Sequence, residues 1–280
     1  MKINRRKKLL LFIVIGCFCV LGLFVSLGNN FKEARSIKQH ESAYETLNQN
    51  SGFYDNEALI SDEYKEQQKE EEIIMGRFSR PEAIDLDFNE LKEINEDIYA
   101  WMYIPGTGIS YPVLQSTDEE AEDFYLMHNL DRTYGYPACV YSQKRNTKDF
   151  TDPDTILYGH NMNDGTMFAP LHNYKDEDYF KEHDELYIYM PDKVLKYKIF
   201  AAFPEDDKLI LDYYEDFADP YVFQDYVTKI GLIKGNLDSN VNSEIALNSD
   251  LKLLTLSTCE KDNTLRYLVV FALTDTEYYE

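Results

Sequence analysis

The sequence predicts a mainly β domain with inserted helices. Its strands close, or nearly close, into a barrel, behind an N-terminal helix and a single transmembrane anchor. Three observations predict it. Short runs rich in β-branched and aromatic residues recur from "WMYIPGTGISYPVLQ" (101–115) to "LRYLVVFALT" (265–274), each bounded by turn residues. One uncharged apolar run, residues 9–28, stands apart from them near the N-terminus. An amphipathic stretch, "DPYVFQDYVTKIGLIKG" (219–235), interrupts the strand pattern once at length.

The run "LLLFIVIGCFCVLGLFVSLG" holds 20 residues, which as a helix rising about 1.5 Å per residue spans roughly 30 Å of hydrocarbon. It exceeds the apolar core of a cleaved signal peptide, about 7–15 residues, and no small-x-small site follows it, so an uncleaved anchor is expected. Lys2, Arg5, Arg6, Lys7 and Lys8 precede it with no acidic residue among them. By the positive-inside rule, residues 1–8 form a cytoplasmic tip and everything after Gly28 lies outside the cell membrane. The formal net charge of the chain is −23; removing the five positive charges of the tip leaves −28 on the rest. So acidic a body lacks the cations that neutralise phosphates, and no nucleic-acid partner is expected.

Residues 29–84, with "DEYKEQQKEEEII", read as a charged extracellular stalk, helical or loosely ordered. The folded domain, 85–280, opens on a helix: Phe88, Leu91, Ile94 and Ile98 recur at spacings of three and four, behind a capping-box pair, Asp87 and Glu90. Strands follow in "YPACVYS", "TILYGH", "ELYIYM", "LKYKIFAAF", "LKLLTLST" and "LRYLVVFALT". In the long insertion Asp219 is the expected N-cap, Pro220 the first helical residue and Gly235 the stop. Val222, Phe223, Tyr226, Val227, Ile230 and Ile233 share one face. Neither a GxGxxG nor a P-loop occurs.

Of four cysteines, Cys17 and Cys19 lie in the apolar run, leaving Cys139 and Cys259 outside. Two cysteines do not make a disulfide scaffold: either they pair once or one is kept free for chemistry. Cys259 ends the "TLST" strand and Arg266 begins the next, with only a short turn between, so a hairpin brings thiol and guanidinium to one rim. The thiolate is the attacking species and needs a base or cation beside it. His160, at the end of "ILYGH", could take the proton and later protonate a leaving amine, and Arg266 could hold the oxyanion formed when a carbonyl is attacked. On these residues alone a cysteine transferase, a cysteine peptidase or amidase that releases products to water, and a catalytically silent binding module all stay open.

"TLSTC" (255–259) with Arg266 seven residues on, "YGHNM" (158–162) followed by "GTMF" (165–168), and "INEDIYAWMYIPGTGISYPVLQ" (94–115) together resemble the sortase family, and its class B in particular. The helix-bearing insertion between the sixth and seventh strands is a class B trait as well. The resemblance covers roughly residues 85–274 and implies an eight-stranded barrel. It also implies a cysteine transpeptidase of Gram-positive bacteria that cuts a C-terminal sorting signal of exported proteins. A Cys thioester would form and an amine of peptidoglycan precursor would resolve it. By motif position His160, Cys259 and Arg266 take the catalytic roles, and Ser257, Thr258 and Glu260 border the signal groove. The signal pentapeptide, NPQTN-like, LPxTG-like or another, stays open, as does a pilin-like subunit as acceptor.

Other candidates read blandly. His128 and His172 are expected to be surface or packing residues, His40 and His183 solvated, and Cys139 a core residue. No Cys/His spacing suits a metal, and no cofactor is expected. The 23 tyrosines are compatible with amphipathic surface contacts and decide nothing further.

Overall fold

The computed structural model describes residues 32–51, 86–207, 210, 217–260 and 264–279. The basic tip, the apolar run 9–28 and residues 52–84 of the stalk lie outside the described residues. Among those described, no helix is long and apolar enough to cross a membrane.

Residues 32–50 form a helix, α1. Read from sequence as part of a charged stalk, it is tied to the domain along one stripe. Tyr44, Asn48 and Ser51 are buried and Leu47 partly so, at the i, i+3, i+4, i+7 spacing of a helical face. The Tyr44 hydroxyl donates to the Ala138 carbonyl (2.6 Å), and Asn48 Nδ2 to the Ser110 carbonyl (3.0 Å). Helix α2 (Phe88–Ile94) starts as its sequence demands, with Asp87 accepting from the backbone N–H groups of Asn89 and Glu90.

Nine strands make one sheet: β1 (Ile98–Ile104), β2 (Ile109–Leu114), β3 (Val140–Ser142), β4 (Asp154–Tyr158), β5 (Glu185–Tyr189), β6 (Lys193–Asp206), β7 (Asn240–Val241), β8 (Leu253–Cys259) and β9 (Leu265–Tyr278). Their order is β5-β1-β2-β3-β4-β8-β9-β6-β7, and β6 pairs back onto β5. That last pairing closes the barrel through every strand except β7, a two-residue rider on β6, which leaves the eight strands expected. Closure removes both free edges. Most pairs are antiparallel; β2 with β3 and β4 with β8 run parallel. Between β4 and β5 lie a 3-10 segment (Ala169–Lys175) and the short helix α3 (Glu177–Glu182).

Strand alternation splits the apolar residues into two cores. Leu254, Leu256, Val269 and Phe271 face the barrel interior with Trp101, Tyr197 and Ile199. Leu253, Leu268, Val270 and Ala272 face outward under helix α4 (Pro220–Leu232), which lays Phe223, Tyr226, Val227 and Ile230 on them. Helix α4 is capped as predicted: Asp219 accepts from the Tyr221 N–H, and Gly235 beyond its end takes φ +88°.

Two histidines expected in solvent are packed instead. His183, half-buried, donates from Nδ1 to the Pro105 carbonyl (3.0 Å), and its ring fills the space a side chain at Gly106 would need, 2.7 Å from that Cβ position. His40 on α1 is also half-buried, 3.5 Å from Thr133 Oγ1.

Candidate active site

Three adjoining strands end on one rim. In the parallel pair, Tyr158 of β4 sits opposite Ser257 of β8, so the chain leaves β4 at His160 where β8 reaches Cys259. In the antiparallel pair Cys259 sits opposite Arg266 of β9. Arg266 Nη1 donates to Cys259 Sγ at 3.3 Å; a guanidinium only donates, so the sulfur is the acceptor. Cys259 is partly exposed, and neither it nor Cys139 is in a disulfide.

His160 is held from several sides. Its Nε2 lies 2.5 Å from the Leu126 carbonyl, and its ring meets the edge of Tyr136 at 4.9 Å. A carbonyl only accepts, so Nε2 carries the proton and Nδ1 is the basic nitrogen of the neutral ring. Burial shifts His160 below the ordinary histidine range, partly offset by the bond to Leu126. On either side of Leu126 in the chain, the Tyr125 hydroxyl donates to Asp97 (2.5 Å), Arg132 pairs with Asp97 (2.7 Å), and Asn95 Nδ2 donates to the Leu130 carbonyl (2.8 Å). Behind His160, Gly159 lies against the buried Phe168 ring, which an added Cβ would meet at 2.7 Å.

The three residues expected to border a signal groove are placed differently from one another. Ser257 alternates to the outward face with Cys259 and, with Arg266, Tyr158 and Leu268, lines a small hollow. Thr258 lies on the opposite face: the period-two alternation that exposes Cys259 turns it into the barrel interior, where it is 2 % exposed. Glu260 accepts from Lys175 Nζ (2.5 Å), with His172 Nδ1 at 3.6 Å, so its carboxylate is already engaged.

Cys139 is a core residue, as read. It is 1 % exposed, its sulfur lies 3.3 Å from the Tyr44 hydroxyl, and burial pushes its thiol up to about 12. His128 stacks on Phe124 at 3.8 Å. His172 is more than a packing residue: Nε2 lies 3.1 Å from the Cys259 carbonyl. A lone histidine in "PLHNY" carries no such signal, because only the tertiary fold brings Ala169–Lys175 to the end of β8. Among the described residues no cluster of His, Cys, Asp and Glu could hold a metal ion.

Fold and site together define a closed-barrel cysteine enzyme. The family model described as Sortase domain matches residues 102–274. Sortase B of Listeria monocytogenes is 32% identical over 179 residues, covering 63% of this chain and 68% of the relative. Sortase B of Staphylococcus aureus is 29% identical over 215 residues, covering 74% and 82%. The crystal structure of Clostridium perfringens sortase B superposes with TM-score 0.58 at 29% identity, covering 68% of this chain and all of that one. The chain belongs to the sortase family, on the class B side of it, and is a cysteine transpeptidase of proteins that carry sorting signals.

Proposed function

We propose that Cys259, His160 and Arg266 are the catalytic residues of a membrane-anchored transpeptidase that joins exported proteins to an amine of peptidoglycan precursor. The observation that carries this is the 3.3 Å contact of Arg266 Nη1 with Cys259 Sγ, on the rim where β4 delivers His160. His160 Nδ1 takes the thiol proton, and the sulfur attacks the carbonyl of the signal's Thr. The guanidinium N–H groups receive the developing oxyanion. Collapse breaks the peptide bond, His160 returns the proton to the leaving amine, and a thioester stays on Cys259. The acceptor amine attacks that thioester while His160 removes its proton, and the thiolate leaves. A neutral, buried imidazole suits the first step, since it enters the cycle as a base.

In this reading residues 1–8 are the cytoplasmic tip, 9–28 the anchor, 29–84 the stalk with α1 folded back on the domain, and 85–280 the catalytic domain outside the membrane. Tethering raises the effective concentration at which enzyme, exported protein and precursor meet. Ser257 and Glu260 border the groove, Ser257 by its outward side chain and Glu260 as the residue that follows Cys259; Thr258 supports it from within.

The test is the full chain in detergent micelles, given a panel of sorting-type peptides with and without a primary amine, and read by mass spectrometry. A thioester on Cys259 and an amine adduct are the expected products. Hydrolysis alone, indifferent to amine concentration, assigns a peptidase or amidase instead. Adducts formed only with the lysine of a pilin-like protein assign pilus assembly. Activity that survives Cys259→Ala, His160→Ala and Arg266→Ala overturns the catalytic assignment.

A further inference from the structure

Cys259 is the last residue of β8, and its backbone carbonyl lies where the sheet runs out. Toward β9, Glu260 N–H donates to the Leu265 carbonyl (3.0 Å), so the preceding Cys259–Arg266 pair is of the non-hydrogen-bonded kind. The Cys259 carbonyl therefore points the other way, toward β4. There the parallel ladder makes its last backbone rung from Gly159 N–H to the Ser257 carbonyl, 3.2 Å. The next rung would need a donor from residue 161, but β4 ended at Tyr158. Asn161 supplies its side chain in place of a backbone N–H, with Nδ2 donating to the Cys259 carbonyl at 3.0 Å.

A second donor reaches the same oxygen. His172 Nε2 lies 3.1 Å from it, and since a carbonyl only accepts, that nitrogen carries the proton. The ring is held in place: it packs on Tyr267 with centroids 5.3 Å apart, and its Nδ1 faces Glu260 Oε1 at 3.6 Å. Glu260 is anchored by Lys175, which lies over the Tyr267 ring and 3.7 Å from Asp238. Both lone pairs of one carbonyl are thus taken by side chains from two separate segments.

We propose that Asn161 and His172 are positioning residues for the transfer reaction. Their two hydrogen bonds fix the end of β8, and with it the sulfur, relative to His160. His160 sits between two pins, Gly159 to Ser257 before it and Asn161 to Cys259 after it, so the imidazole-to-sulfur separation is set by the bonds that flank it. The inference rests on Cys259 being the nucleophile.

Three variants of the full chain in micelles separate donor from packing. His172→Phe keeps a ring against Tyr267 and removes the donor. His172→Gln keeps a donor, and Asn161→Ala removes the other pin. Losing one such bond and the alignment it holds is expected to lower kcat about tenfold in His172→Phe and in Asn161→Ala, with KM within about twofold. Alkylation of Cys259 by iodoacetamide, located by peptide mapping, slows in the same two variants. His172→Gln stays within about threefold of the parent in both assays, as expected when the donor survives. Melting temperatures accompany each measurement, so that a loss of fold is not read as a loss of alignment. Parent-like kcat and alkylation in His172→Phe overturn the proposal, and so does a His172→Gln variant as slow as His172→Phe. If the parent chain transfers no peptide at all, the functional reading fails and the alkylation rates alone decide the positioning role.

Discussion

At the scale of single residues, the proposed mechanism has Arg266 act through geometry as much as charge. A planar fork can keep one N–H on the Cys259 sulfur, 3.3 Å away, and still offer others to an oxyanion. Arg266→Lys keeps the charge and loses the fork. Transfer is expected to fall about 10²-fold or more in kcat, the scale of a lost oxyanion donor, with KM little changed; steady-state kinetics on the peptide and amine pair check it. Gly159 is constrained by contact. Gly159→Ala puts a methyl carbon 2.7 Å from a Phe168 ring that is fully buried, so one of the two must shift. Such overpacking costs about 1–3 kcal/mol, and here the strain falls one residue from His160. Chemical denaturation is expected to show that loss together with a drop in kcat; unchanged stability would mean the ring yields freely. The thiol and guanidinium pair was legible in the sequence because a hairpin is local: seven positions and one turn relate Cys259 to Arg266. Asn161 and His172 were not, since their partner is a backbone carbonyl about a hundred positions away, and no side-chain pattern marks a carbonyl.

At the scale of elements, α1 shows what charge counting hides. Its composition belongs to a solvated stalk, yet Tyr44, Leu47, Asn48 and Ser51 keep a helical stripe that binds it to the domain. That stripe was present in the sequence, but two of its four members are polar, so hydrophobic periodicity passed over it. The helix also reaches toward the site. Tyr44 meets the Tyr111 ring edge-on at 5.4 Å, the Tyr111 hydroxyl accepts from Met167 N–H (2.9 Å), and Met167 bridges back to Asn161. Tyr44→Ala is expected to cost about 3 kcal/mol, the low end for removing a buried aromatic ring. It also frees the segment that carries Asn161, so kcat is expected to fall further than in Tyr44→Phe, which keeps the ring and loses only the hydroxyl. Denaturant midpoints and kcat for the pair test this; equal kcat in the two variants would detach α1 from the site. Helix α4, by contrast, was readable throughout, because cap, proline and apolar face all lie within seventeen residues.

At the scale of the whole molecule, the barrel interior and the layer under α4 meet at the β4–β8 seam, and Asp154 is buried there. It is 1 % exposed and accepts from the Thr255 hydroxyl (2.9 and 3.0 Å). Burial raises its carboxyl to about 7, against the lowering pull of the Thr255 and Tyr226 hydroxyls. The folded chain therefore keeps this proton up to about pH 7, while the unfolded chain releases it near the ordinary aspartate value, about 4. Between those values the folded state binds more protons than the unfolded one, so the contribution of Asp154 to stability falls as pH rises through the window. This is opposite in sign to a salt-bridged carboxylate, whose stabilisation is lost in acid. Asp154→Asn keeps an acceptor for Thr255 and cannot ionise. Relative to that variant, the parent is expected to lose stability from pH 5 to pH 8, with the gap between their melting temperatures changing in that direction and levelling above pH 8. A gap that does not move with pH would show that the carboxyl is ionised throughout, and that the seam tolerates a buried charge. In the proposed mechanism the seam matters to the reaction, because β8 ends in Cys259 and the chain leaving β4 carries His160. An ionised Asp154 that loosens their pairing would lower kcat along with stability above pH 7, and Asp154→Asn would abolish that part of the alkaline loss.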